Sequence, residues 1–102
     1  MTDIDASVID KPKLDLKTIL PKKWNVVFYN DNMTSFDFVI SELVNRYGYS
    51  QKESIHMATK IHDKGKSIVA SYYKEVAEQR KAETVSRARS FGYPLKVEIF
   101  QQ

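Results

Sequence analysis

The sequence predicts a small α+β domain in which one sheet is covered on one face by three helices. Three observations lead there. The chain has 102 residues, the length of a single domain. Three short stretches are rich in β-branched and aromatic residues or alternate with a period of two. Three longer stretches carry apolar residues at helical spacing between capping signals.

Along the chain, MTDIDASVIDKPKLDLKTILP sustains neither period, and Pro12 and Pro21 interrupt it. Residues 1–21 are therefore expected to form a mobile tail whose Ile19 and Leu20 dock only transiently, with residues 22–102 as the core domain. KKWNVVFYN predicts a strand, with Trp24, Val26 and Phe28 on one face and Asn25, Val27 and Tyr29 on the other. Apolar residues on both faces point to a central strand. Thr34, followed three residues later by Asp37, predicts a helix start. Phe36, Val39, Ile40, Leu43, Val44 and Tyr47 then form one stripe, which Gly48 ends. SQKE at 50–53 is a second capping box and opens a helix with Ile55, Ala58, Ile61 and His62 on one side. Gly65 closes that helix. KSIVASYY predicts a short strand. Lys74 to about Ser90 predicts a third helix that turns Ala77, Thr84, Val85, Ala88 and Phe91 to the core, stopped by Gly92 and Pro94. LKVEIF is the last strand, alternating Leu95, Val97 and Ile99 with Lys96, Glu98 and Phe100.

Composition narrows the function classes. Hydrophobic residues make up 42% and charged residues 28%, ordinary for a soluble globular protein. No apolar run approaches the roughly 18–20 residues that span a bilayer, and no basic start precedes an apolar stretch as in a secretory signal. There is no cysteine, which suits a reducing compartment, and a cytoplasmic location is expected. Residues 1–21 hold four Asp and three Lys, net −1; residues 22–102 hold thirteen Lys/Arg and nine Asp/Glu, net +4. The basic residues are scattered, which disfavours nucleic acid as a partner.

Catalytic signals are poor. No Gly-rich phosphate loop is present, and no motif joins a Ser nucleophile to a base and an orienting acid. His56 and His62 are about 600° apart around a helix and face different ways, so they do not form a metal pair. No cofactor and no metal are expected. Two features stand out. Asn30-Asp31-Asn32 follows an apolar strand, and most such clusters are ordinary turns. Adjacent oxygen acceptors are also what an ammonium requires, because it has donors and no acceptor. His62 is a polar group on an apolar stripe. A neutral imidazole there is either satisfied by backbone or offers a ring nitrogen at the edge of a pocket.

Four blocks in order resemble the ClpS family of Clp protease adaptors: NDNMTSFDFV, IHDKGK, KEVAEQRKAE and YPL at 93–95. The resemblance covers nearly all of residues 24–100. It implies a three-stranded antiparallel sheet packed against three helices, β-α-α-β-α-β. It also implies a non-enzymatic, monomeric adaptor. Such adaptors bind proteins whose first residue is bulky and apolar, and hand these N-degron substrates to the N-terminal domain of a ClpA-like AAA+ unfoldase. By position, Asn30, Asp31, Asn32 and His62 would hold the substrate's α-amino group. Phe36, Val39, Ala58, Ile61 and Leu95 would line the side-chain pocket. Thr34 would support the loop, and Glu75 and Arg80 would dock on the unfoldase. The tail would engage the unfoldase during delivery. The chain departs from the family pattern at Asn32, where a second Asp is usual, and at Phe36 and Ala58, where Met is usual. Arg80 replaces Lys and keeps its charge. A regulator or decoy that docks on the unfoldase without gripping N-degrons is the alternative reading.

Overall fold

The computed structural model describes residues 21–102. The predicted tail, apart from Pro21, lies outside the described residues. The elements are β1 (Lys23–Tyr29), α1 (Phe36–Tyr47), α2 (Gln51–Lys64), β2 (Lys66–Tyr73), α3 (Lys74–Ser90) and β3 (Lys96–Gln101). The strands form one sheet in the order β2-β1-β3, with both pairs antiparallel. The architecture is therefore the α+β arrangement that the spacing of apolar residues predicts.

β1 is central because it has apolar residues to offer on both faces. Val26 and Phe28 are fully buried, and Val27 on the opposite face is buried as well. Against β2 the register slips between Val26, paired with Ala70, and Val27, paired with Ile68. Val69 is the extra residue of this bulge, and it turns into the core. The core joins the inner face of the sheet to all three helices through Phe28, Phe38, Leu43, Ala58, Ala77 and Leu95, among others. Phe28 meets Tyr47 edge to face at 5.5 Å.

Several local expectations shift by one position. The N-cap of α1 is Ser35, whose Oγ accepts from the Phe38 amide; Thr34 stands one residue too early to cap. On α2 the buried stripe is Ser54, Ala58 and Ile61, while Ile55 and His62 are exposed. Ser54 tolerates burial because its hydroxyl donates to the Gln51 carbonyl (2.7 Å). The capping box of α2, Ser50 with Glu53, is complete. On α3 only Ala77, Thr84 and Ala88 are buried. These small residues let the helix lie close to its neighbours. Val85 is half-buried, and Phe91 is exposed and stacked on Tyr93.

Candidate functional site

The end of β1 and the start of α2's exit turn are tied together. The Asn30 amide donates to the Gly65 carbonyl at 2.9 Å. Gly65 has φ 91°, a left-handed conformation that lets α2 turn directly into β2. Between Asn30 and the Ser35 cap, the chain folds around the carboxylate of Asp31. Its Oδ1 accepts from the amides of Met33 (2.8 Å) and Thr34 (2.7 Å), and its Oδ2 accepts from the Thr34 hydroxyl (2.8 Å). Burial alone would raise the Asp31 pKa. These three bonds and the positive charge of Arg89 outweigh it and hold the carboxyl below its ordinary range. Asp31 is thus the charged scaffold of the loop. The side-chain amides of Asn30 and Asn32, by contrast, make no hydrogen bond among the described residues, and both residues are exposed.

This loop forms one wall of a cavity of about 320 Å³, lined by Tyr29, Asn30, Asp31, Asn32, Thr34, Phe36, Val39, Ala58, Ile61, His62 and Leu95. The structure therefore brings together all the residues assigned above to the amine site and the side-chain pocket, and Thr34 with them. Val39, Ala58, Ile61 and Leu95 are buried members of the core, so the cavity floor is the hydrophobic core itself. Phe36 opens α1 at the mouth and is 43% exposed, not the buried stripe residue its spacing suggested. His62 stands at the solvent rim, with Nδ1 3.3 Å from the Asp63 carboxylate and its side chain 68% exposed. It lies off the apolar stripe, one position round from Ile61. One side of the cavity is thus rich in oxygen and imidazole nitrogen, and its floor is apolar.

Glu75 and Arg80 lie elsewhere, on α3, about 140° apart around its axis. Glu75 is exposed in the first turn. Arg80 is partly buried over the Tyr72 ring at 5.6 Å, with Glu83 3.8 Å from its guanidinium. The fold brings these two neither to the cavity nor onto one stripe of the helix.

Two contributors were not legible in the sequence. Tyr29 alternates away from the core, yet as the last residue of β1 it also lines the cavity. Arg89 reaches back from the last turn of α3 and donates to the carbonyls of Tyr93 (2.8 Å) and Leu95 (3.0 Å). It thereby sets the segment that delivers Leu95. A basic residue in the last turn of a helix was the available signal.

The family model described as ATP-dependent Clp protease adaptor protein ClpS matches residues 20–98. The chain belongs to the ClpS family. It is similar to the ATP-dependent Clp protease adapter protein ClpS of Nautilia profundicola, 35% identical over 80% of this chain and 84% of that one. It is also similar to that of Desulforapulum autotrophicum, 36% identical over 82% and 81%. Among solved structures, Agrobacterium tumefaciens ClpS2 bound to L-phenylalaninamide shares the fold, with a TM-score of 0.78 and 23% identity over 81% of this chain and all of that one. ClpS proteins are adapters of the Clp protease and not proteases themselves. Among the described residues, no cluster of His, Asp and Glu is arranged to hold a metal ion, and no helix is long and apolar enough to cross a membrane.

Proposed function

We propose that this chain grips the free α-amino group and bulky apolar first residue of an N-degron protein and hands it to a ClpA-like AAA+ unfoldase. One observation carries the reading: a single cavity joins the acceptors of Asn30, Asn32 and His62, and the charge of Asp31, to the apolar floor of Val39, Ala58, Ile61 and Leu95. An ammonium brings three donors and a positive charge, so it needs acceptors and a nearby carboxylate. Only the start of a chain offers such a group next to a side chain. An internal peptide or an acetylated terminus would leave those acceptors unmatched, which is the strongest form of rejection. The side chain enters the floor, where Ala58 leaves depth for an aromatic ring. ClpS2 of Agrobacterium tumefaciens binds phenylalaninamide, whose Cα carries a free amine and a benzyl side chain, and this supports the reading. On this reading the unfoldase contacts α3 at the exposed Glu75 and reaches round the helix to Arg80.

The test is a titration of fluorescent peptides beginning with Phe, Trp, Leu and Val, and of acetyl-Phe. Phe and Trp are expected to bind, with the acetylated peptide at least about a hundredfold weaker. Preference for Val, or indifference to acetylation, would sink the proposal. Absence of all binding, with the unfoldase still bound, would leave the regulator reading standing.

A further inference from the structure

Tyr29 lines two cavities. Besides the site just described, it borders a groove of about 350 Å³ on the sheet face turned away from the helices, where Ile68 and Phe100 also lie. Ile68 and Phe100 are 50% and 47% exposed. The antiparallel register sets Lys66 and Lys96 directly opposite Tyr29 on its two sides. Their ammonium groups sit 5.7 and 4.7 Å from the centre of its ring. The nearby carboxylate, Glu98, is already engaged by the Tyr29 hydroxyl (2.9 Å) and by Lys96 (3.6 Å). The groove therefore combines apolar surface at Val27, Ile68 and Phe100 with the polar Asn25 and Ser67, and two ammonium groups against one carboxylate leave a net positive charge at Tyr29.

We propose that the polypeptide following a bound first residue passes over Tyr29 onto this open sheet face, and that Lys66 and Lys96 select acidic residues just after the first. The inference rests on the cavity holding the first residue. Its own support is continuity, since one residue is the shared wall, and charge, since two ammonium groups stand within a ring's width of that wall. An extended chain advances about 3.3–3.6 Å per residue, so the second to fourth residues cover the distance past Tyr29. An acidic residue there meets the ammonium pair, and an apolar residue beyond it meets Ile68 and Phe100.

The experiment uses L-phenylalaninamide and two peptides that both begin with Phe, one continuing with Glu and Asp at positions two to four and one with Lys and Arg. Each is titrated by calorimetry against the full chain and against the Lys66→Gln/Lys96→Gln variant. The acidic peptide is expected to bind about three- to tenfold more tightly than the basic one, as two exposed ion pairs allow. The gap should shrink at high salt. It should vanish in the variant, while phenylalaninamide binds both proteins equally. If the amide binds and the two peptides do not differ, or differ equally in the variant, the proposal fails and the first-residue reading survives. If the amide itself does not bind, the first-residue reading fails. Should the gap depend on protein concentration, the face belongs to a second copy of the chain and the proposal is overturned.

Discussion

At the scale of single residues, Asp31 carries two properties that can be separated. Its carboxylate holds the loop through three hydrogen bonds, and it places a negative charge on the cavity wall. An Asp31→Asn substitution keeps an acceptor for the two amides and turns an amide group toward the Thr34 hydroxyl, which can accept. The loop should persist, with stability changed by less than about 1 kcal/mol. Binding of a free α-amine should weaken by roughly tenfold or more, the scale of one charge-assisted bond. Asp31→Ala should lose both. Urea unfolding and peptide titration read the two properties apart, and an Asn variant that binds as tightly as the parent would reduce Asp31 to scaffold alone. Because its pKa lies below the ordinary range, Asp31 is charged throughout the neutral and mildly acidic range. Its stabilisation is present above the unfolded-state pKa and is lost only as pH falls through the lower folded value.

At the scale of elements, the strands, helices and the glycine caps Gly48 and Gly65 follow from periodicity and capping chemistry, and the cavity-lining residues other than Tyr29 follow from the resemblance to ClpS. Single positions within those elements were harder. Thr34 and Ser35 are both good caps, and only the engagement of Thr34 by Asp31 decides that Ser35 closes α1. Glu42 is not part of the apolar stripe predicted for α1, yet it is 1% exposed. Its Oε1 accepts from Arg46 of the same helix at 2.7 Å, and its Oε2 forms an ion pair with Arg87 of α3 at 2.9 Å. No local pattern announces a partner 45 residues away. The two arginines bring α1 and α3 together around one buried carboxylate, which tolerates burial only while paired. Glu42→Gln keeps the shape and removes the charge. It should destabilise the fold by about 1.5–3 kcal/mol, read as a lower urea midpoint at unchanged slope. Arg87→Met should cost less, because Arg46 remains on the carboxylate. A Gln variant within about 0.5 kcal/mol of the parent would show that the clamp adds nothing beyond shape.

For the whole molecule, the floor of the candidate site is the same core that holds sheet and helices together, so function there depends on global stability. Tyr47 makes that stability sensitive to alkaline pH. Its ring is packed on Phe28 between α1 and β1, and its hydroxyl pairs with the Thr84 hydroxyl of α3 at 2.8 Å. Burial pushes its pKa up to about 12, against an ordinary phenol value near 10. Below pH 10 the phenol is protonated in both folded and unfolded chains and its contribution is intact. Between about pH 10 and 12 the unfolded chain has released the proton and the folded chain still holds it. Unfolding then releases a proton, and stability falls as pH rises. A shift of this size corresponds to about 2–3 kcal/mol lost across that window. Tyr47→Phe removes the titrating group and keeps the ring, so its unfolding free energy should decline less between pH 9 and 12 than that of the parent. Urea unfolding in steps across that range makes the comparison. Parallel pH profiles for the two proteins would mean that alkaline loss arises elsewhere and not from the Tyr47 hydroxyl.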